Sequence, residues 1–391
     1  MLYIKSNRLI VNLAINIFVI FVLQPKQNII KKLLIFAGVA LLFTVLFSCS
    51  DDNDSGSDDD YVPVSTVVLD MDAFPFNTLS EYNFFEGDMK AQEPVLGVIP
   101  YEPISTLFTD YAKKKRFVWM PSDVQATYVA DNKHIDFPVG TILIKTFYYN
   151  NVQPANNTRI IETRLMLKKT DDWHFADYIW NDDQTEATFS LEGSFTTIDF
   201  LQNGEAKSIN YRIPSDVECI TCHKSANNSV PIGVKPQNLN SLYLYADGSQ
   251  NQLEKLIAEG YLEDTLPETI NSVIKWDDET QPIDIRVRSY IDINCAHCHS
   301  ELSYCDYRPM RFAFSETTNE TNLGVCVDPN TAVSGMTSIV TPSLKERSVM
   351  YFRLNTAAQE YRMPLLGRTI IHEEAVALIG EWIDGLATEC N

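Results

Sequence analysis

Two five-residue segments share one pattern and constrain this chain more than anything else in it: Cys219-Ile220-Thr221-Cys222-His223 and Cys295-Ala296-His297-Cys298-His299. The spacing has a chemical reason. Two thiols separated by two residues reach neighbouring edges of one porphyrin, where each adds across a vinyl group. The His directly after the second Cys then falls under the iron as its proximal ligand. The pattern therefore predicts two covalently bound haem c groups, attached at Cys219, Cys222, Cys295 and Cys298 and ligated by His223 and His299. Covalent attachment retains the cofactor in an open compartment.

Other uses of the same residues fit less well. A Cys₄ zinc site needs the two pairs to converge across a 72-residue gap and gives the following His no reason to appear twice. A thioredoxin-like pair wants a βαβ context that the flanking sequence lacks. A disulfide inside either pair is strained.

Cofactor attachment in an open compartment implies export, and the N-terminus agrees. Leu33–Phe47 is an apolar run behind Lys31 and Lys32, and it ends in Leu46-Phe47-Ser48-Cys49. At 15 residues it is short of the roughly 20 that span a bilayer. Residues 1–48 are expected to be a signal peptide of the lipoprotein type, with Cys49 the lipidated first residue. Residues 49–60 then form an acidic tether that can bury nothing. The alternative is one or two membrane helices. An earlier apolar run, Leu9–Leu23, has no clear role unless the start site is over-extended. The net charge is −21, and the first 48 residues contain no acid at all. So acidic a surface repels phosphate backbones, and nucleic acid is not an expected partner.

Residues 61–215 read as β-rich. Ile142–Tyr149, Arg159–Lys168 and Trp173–Ile179 are dense in β-branched and aromatic residues, with Asn and Asp pairs as turns between them. Helical periodicity takes over after Pro214. Gln250–Gly260, Ile283–Asn294 and Thr369–Leu386 each align apolar residues on one face. The expected fold class is α+β multidomain: an N-terminal β-sandwich-like domain followed by an α-helical cytochrome c-like region. The expected boundaries are a β-rich domain over 61–215, a first haem-binding segment over 216–280 and a cytochrome c-like domain with the second haem over 281–391.

The order helix, Cys-x-x-Cys-His, loops, Met-Pro and terminal helix resembles class I cytochrome c from Ile283 to Leu386. That resemblance implies that Met363, in Tyr361-Arg362-Met363-Pro364, is the sixth ligand of the second iron. It also implies that Pro309 orients His299 through a backbone carbonyl. The plainer reading of Met363 is a core methionine. For the first iron no Met or further His occurs between His223 and Trp276. Its sixth ligand then comes from elsewhere, with His134, His174, Met310, Met336, Met350 and His372 as candidates, or the iron is five-coordinate. Cys305 and Cys326 are expected to form a disulfide, which leaves Cys390 an unpaired tail thiol.

A wider resemblance covers residues 85–390. Phe137-Pro138-Val139-Gly140-Thr141, Ile161-Glu162-Thr163-Arg164-Leu165, Trp180–Ala187, Tyr211-Arg212-Ile213-Pro214 and Arg288-Ser289-Tyr290 look like a family of bacterial two-haem c-type cytochromes with an N-terminal β domain. The string Trp180–Ala187 also admits a catalytic carboxylate pair, against the blander reading of a polar turn. The function expected from motifs and resemblance is electron transfer at the cell envelope by an outer-membrane lipoprotein, periplasmic or surface-exposed. Its partner would be a dehydrogenase or another cytochrome. Two alternatives stand: a peroxidase-like di-haem oxidoreductase with an open first haem, and a β-domain binding module with the haems as redox sensor.

Overall fold

β-Branched and aromatic runs build the longest strands, because their side chains pack well on a pleated surface. The computed structural model describes residues 64–390. In it β1 (Ile99–Pro100), β2 (Lys113–Trp119), β3 (Ile142–Val152), β4 (Asn157–Lys168), β5 (Trp173–Trp180), β6 (Ala187–Phe189), β7 (Ser194–Gln202) and β8 (Glu205–Ile213) form one eight-stranded sheet. The main order is β8-β7-β3-β4-β5-β6, with β2 pairing along β3 and β1 pairing with β2. All pairings are antiparallel. The three segments expected as strands are its centre.

The two faces of the sheet are buried against different material. On one face Phe117, Trp119, Ile144, Leu165 and Tyr178 pack under the Phe74–Val98 segment. The Tyr82 and Tyr178 hydroxyls meet there at 2.7 Å. On the other face Leu143, Met166 and Trp173 pack against Val234, Leu239, Leu253 and Leu256. Each such large apolar side chain contributes roughly 1.5–3 kcal/mol when fully buried. This second face also carries charge. The register aligns Arg116, Lys145, Arg164 and Asp177 side by side across β2, β3, β4 and β5.

The helices are α1 (Asp216–Cys222), α2 (Pro236–Leu239), α3 (Gln252–Ala258), α4 (Ile283–Ile291), α5 (Val349–Leu354) and α6 (Glu373–Gly385). The longest, α6, has 13 residues. Strand makes up 26 % of the described residues against 19 % helix. This overturns the expected fold class. The β part is one sheet with apolar cover rather than a sandwich of two sheets, and the C-terminal part is not an α-helical cytochrome c-like region. The periodic windows do contain helices, but each is short. Residues 297–344 hold no helix and are built from turns, with Ser, Asn, Pro and Gly recurring at Ser300, Ser303, Pro309, Asn319, Asn322, Gly324, Pro329 and Gly335. A nucleated helix needs an uninterrupted run, and these residues deny it one.

The described residues 64–390 fall in one compact unit. The third core cluster joins Val287, Tyr290 and Ile291 of α4 to Leu378, Ile379, Trp382 and Ile383 of α6. The disulfide is Cys326–Cys390, and Cys305 is free. This corrects the expected Cys305–Cys326 pair: the C-terminal tail folds back along the cluster and brings its thiol to Cys326. The signal peptide, Cys49 and the acidic tether lie outside the described residues. Among the described residues no helix is long and apolar enough to cross a membrane.

Asp292, directly after α4, ties the parts together. It is 4 % exposed. Its carboxylate accepts from the Phe314 N–H at 2.9 Å, Gln237 Nε2 at 3.3 Å and Asn238 Nδ2 at 3.4 Å, with Lys235 Nζ at 3.7 Å. Asp292→Ala strands several buried donors and a lysine, and is expected to cost about 3–5 kcal/mol in urea unfolding. A loss below about 1 kcal/mol would show that water replaces the carboxylate, and the hub would not be structural.

Candidate metal centre

Each Cys-x-x-Cys-His segment is positioned by its own local device. α1 begins with a capping box: the Ser215 N–H donates to Glu218 Oε2 at 2.8 Å, and Arg212 Nη2 donates to the same oxygen at 2.7 Å. The seven-residue helix that follows presents Cys219 and Cys222 one turn apart. His223 caps it. A tight hairpin, Lys224–Ser225 with Asn228–Ser229, then returns the chain so that the Val230 carbonyl accepts from His223 Nδ1 at 2.7 Å. A carbonyl only accepts, so the proton sits on Nδ1 and the Nε2 lone pair is left free to ligate. Burial pushes the His223 pKa down to about 3, which keeps the ring neutral.

The second segment grows from the end of α4, where the helix widens into a π-turn over Asp292–Ala296. Buried Asn294 holds the turn, accepting from the Phe108 N–H at 2.8 Å and donating to the Tyr290 carbonyl at 3.0 Å. The Cys295 carbonyl takes the N–H groups of Cys298 and His299 at 3.1 and 3.0 Å. His299 packs edge-on to Phe312, with centroids 5.1 Å apart. Burial pushes its pKa down to about 4. Its Nδ1 is buried without a hydrogen-bond partner, so the expected Pro309 carbonyl contact is not made.

The two segments converge. Cys222 Sγ, Cys298 Sγ and a ring nitrogen of His297 lie within 4.8 Å of one another. The Cys298 thiol beside Cys222 holds the Cys222 thiol well below its usual range and is itself pushed up. Burial pushes Cys219 and Cys295 up to about 12. Sequence separation was the main objection to a shared metal site, and the fold removes it for one Cys of each pair.

A cavity opens on either side of this junction. The second, about 270 Å³, is lined by Cys295, Cys298, His299, Met310, Met350 and Met363. Met363 is thus brought to the same cavity as His299. The buried Arg368 fixes its loop, donating Nε to the Met363 carbonyl at 2.9 Å and Nη2 to the Arg353 and Thr356 carbonyls at 2.9 and 3.0 Å. Tyr304, Tyr307 and Leu365 line the cavity yet are 46 %, 69 % and 44 % exposed, and they form an apolar rim.

The first cavity, about 130 Å³, is lined by Cys219, Cys222 and His223 on one side and by the charged face of the sheet on another. Lys145, Arg164 and Asp177 come from that face. Arg164 pairs with Glu162, which also accepts from the Tyr211 hydroxyl at 2.5 Å. Among the described residues Lys145 has no carboxylate within ion-pairing reach. Burial and the adjacent guanidiniums of Arg116 and Arg164 push its ammonium well below the usual lysine range. A half-buried cationic wall of this kind suits an anionic ligand.

None of the six residues expected as a sixth ligand lines the first cavity. His174 pairs with Asp171 at 3.0 Å. His134 faces a separate pocket with Asp172 and Trp173. Met310 and Met350 belong to the second cavity. Met336 lies in a turn that closes on Val333. His372 is caged by Phe108, Trp276 and Tyr290. The string Trp180–Ala187 is a structural turn, with Asn181 Oδ1 accepting from the Thr185 N–H at 2.9 Å. The sequence reading missed Lys145 and Arg164, which strand alternation alone assigns to one face of the sheet. It also missed His297, which it took for a spacer.

Comparisons with protein-family models, curated proteins and solved structures find no match for this chain.

The caged His372 carries a pH dependence. Its Nδ1 lies 3.1 Å from the Tyr290 hydroxyl, and burial pushes its pKa from 6.5 down to about 4. The unfolded chain therefore binds its proton first as pH falls. The contribution to stability is complete above about pH 6.5 and is lost as pH drops toward 4, on the order of 3 kcal/mol in all. His372→Phe is expected to flatten this part of the unfolding-versus-pH curve. An unchanged slope would show that His372 is not the group responsible.

Proposed function

We propose that this chain is an exported, lipid-anchored di-haem c-type cytochrome that passes single electrons between redox proteins at the cell envelope. The observation that carries the reading is the convergence of the two Cys-x-x-Cys-His segments, each opening on its own cavity while Cys222 and Cys298 stand within 4.8 Å. The two attachment sites therefore adjoin, which suits a short relay.

The surrounding residues fit a porphyrin iron. His223 has its Nε2 free, and Met363 shares a cavity with His299. The exposed apolar rim of Tyr304, Tyr307 and Leu365 would be covered by a flat apolar ring, and Lys145 and Arg164 suit its carboxylates. A haem c supplies a one-electron iron couple. The chain attaches it through Cys219, Cys222, Cys295 and Cys298, and ligates it through His223, His299 and Met363. Lipidation at Cys49 would keep the relay at the outer membrane, near a dehydrogenase or another cytochrome. The resemblance to bacterial two-haem cytochromes over residues 85–390 supports the same reading.

A second reading rests on the Cys222, His297 and Cys298 cluster itself, which suits a thiolate-bound metal such as zinc. It leaves Cys219, Cys295 and the free Nε2 of His223 unexplained, whereas the haem reading uses all of them.

One experiment separates the two. Protein matured in a host with c-type haem assembly is expected to give two haems per chain by pyridine haemochrome and two covalent haem masses at the motif peptides. One haem would demote the Cys219–His223 site. Bound zinc with four unmodified thiols would overturn the proposal. Electron transfer rather than peroxidase-like catalysis further predicts that the ferrous protein binds no carbon monoxide, since six-coordinate iron has no open position.

A further inference from the structure

By sequence His297 is a spacer inside the second motif, but its side chain lines both cavities. A ring nitrogen lies within 4.8 Å of Cys222 Sγ, a residue of the other motif. Its Nδ1 is buried and has no hydrogen-bond partner among the described residues. An unmade buried polar contact is costly, so a group in this position asks for something to complete it.

The first cavity lacks a sixth ligand among the residues expected from sequence. The other side chains on its wall that suit the role are Tyr101, Met166, Lys145 and His297. Tyr101 belongs to the apolar cluster of Val118 and Leu143 on the sheet. Met166 sits on the wrong side. It is the cross-strand neighbour of Phe175, and Phe175 packs against the His223 ring at 5.3 Å, so Met166 stands with the proximal imidazole. Its side chain is also part of the apolar cluster with Leu143 and Trp173. Lys145 stands over the Phe147 ring at 5.0 Å, in the cationic row that suits carboxylates. His297 comes from the junction, away from the sheet.

We propose that His297 supplies the sixth ligand of the iron held by Cys219, Cys222 and His223, so that the second motif completes the first motif's site. The inference rests on the two-haem reading. Its consequence is mechanical as well as electronic. His297 lies between Cys295 and Cys298, whose thioethers fix the backbone on either side of it. The two irons are then joined through a short stretch of covalent bonds, and ordering one site helps to order the other.

The test uses the full chain carrying both haems, with haem content measured first and iron ligation second, by ferric electron paramagnetic resonance and near-infrared magnetic circular dichroism. Wild type is expected to show two low-spin irons, one His/His and one His/Met. His297→Ala should keep its haem content while about half of the iron turns high-spin, with the methionine-to-iron band of the other half unchanged. His297→Met should remain low-spin and gain a second methionine-to-iron band with a raised potential, and it remains informative if the alanine variant loads poorly. Met166→Ala should match wild type, and Lys145→Ala, which removes a partner of the haem carboxylates, should leave both bound irons low-spin. A His297→Ala protein with two fully low-spin haems overturns the proposal, and so does a high-spin signal that appears in either control instead. Wild type without haem overturns the two-haem reading itself, an outcome that the loading measurement separates from a failure of ligation.

Discussion

Everything around the two motifs depends on one buried carboxylate. Asp292 accepts from a backbone N–H of the turn region and from two amide side chains of α2, with Lys235 close by. A charge taken out of water is tolerable only when its lone pairs are used, so these partners are fixed relative to one another. The residue stands at the first position of the π-turn that carries Cys295. The segment after β8, the turn-rich region and the second motif are thereby locked to one point, with Cys222 and Cys298 side by side.

The sheet is more than a scaffold beside this centre. One face is an ordinary apolar core, while the other replaces part of its apolar cover with Arg116, Lys145, Arg164 and Asp177 in lateral register. In a chain of net charge −21, basic side chains are scarce, yet several are spent in one half-buried row. Burial disfavours their charged forms, and the Glu162 carboxylate offsets this only in part at Lys145. Lys145, Arg164 and Asp177 of the row line the first cavity, so the β part of the chain forms one wall of the first site.

Much of this was legible in the residues. Strand segments at Ile142–Tyr149, Arg159–Lys168 and Trp173–Ile179 fell where they were expected, since alternation and β-branching act locally. The terminal helix did too, at Glu373–Gly385. The helical character of the rest was overread. Three amphipathic windows suggested a helical domain, but the turn formers between His299 and Leu344 count as much as the periodic residues do. The disulfide went to Cys390 rather than Cys305, because pairing follows the path of the tail over the α4–α6 cluster, and that path is a long-range property.

The sequence alone determined which atoms are available: four thiols and two imidazoles in two fixed spacings, each set legible because covalent spacing along a backbone needs no fold to express it. It also marked Met363 as a candidate donor for the second site. Only the tertiary structure decided that the two sets meet, that Met310 and Met350 share the second cavity, and that His297 faces the first. Those are contacts between segments tens of residues apart. They are set by which buried polar groups must find partners and which apolar faces must close, and no local pattern encodes either.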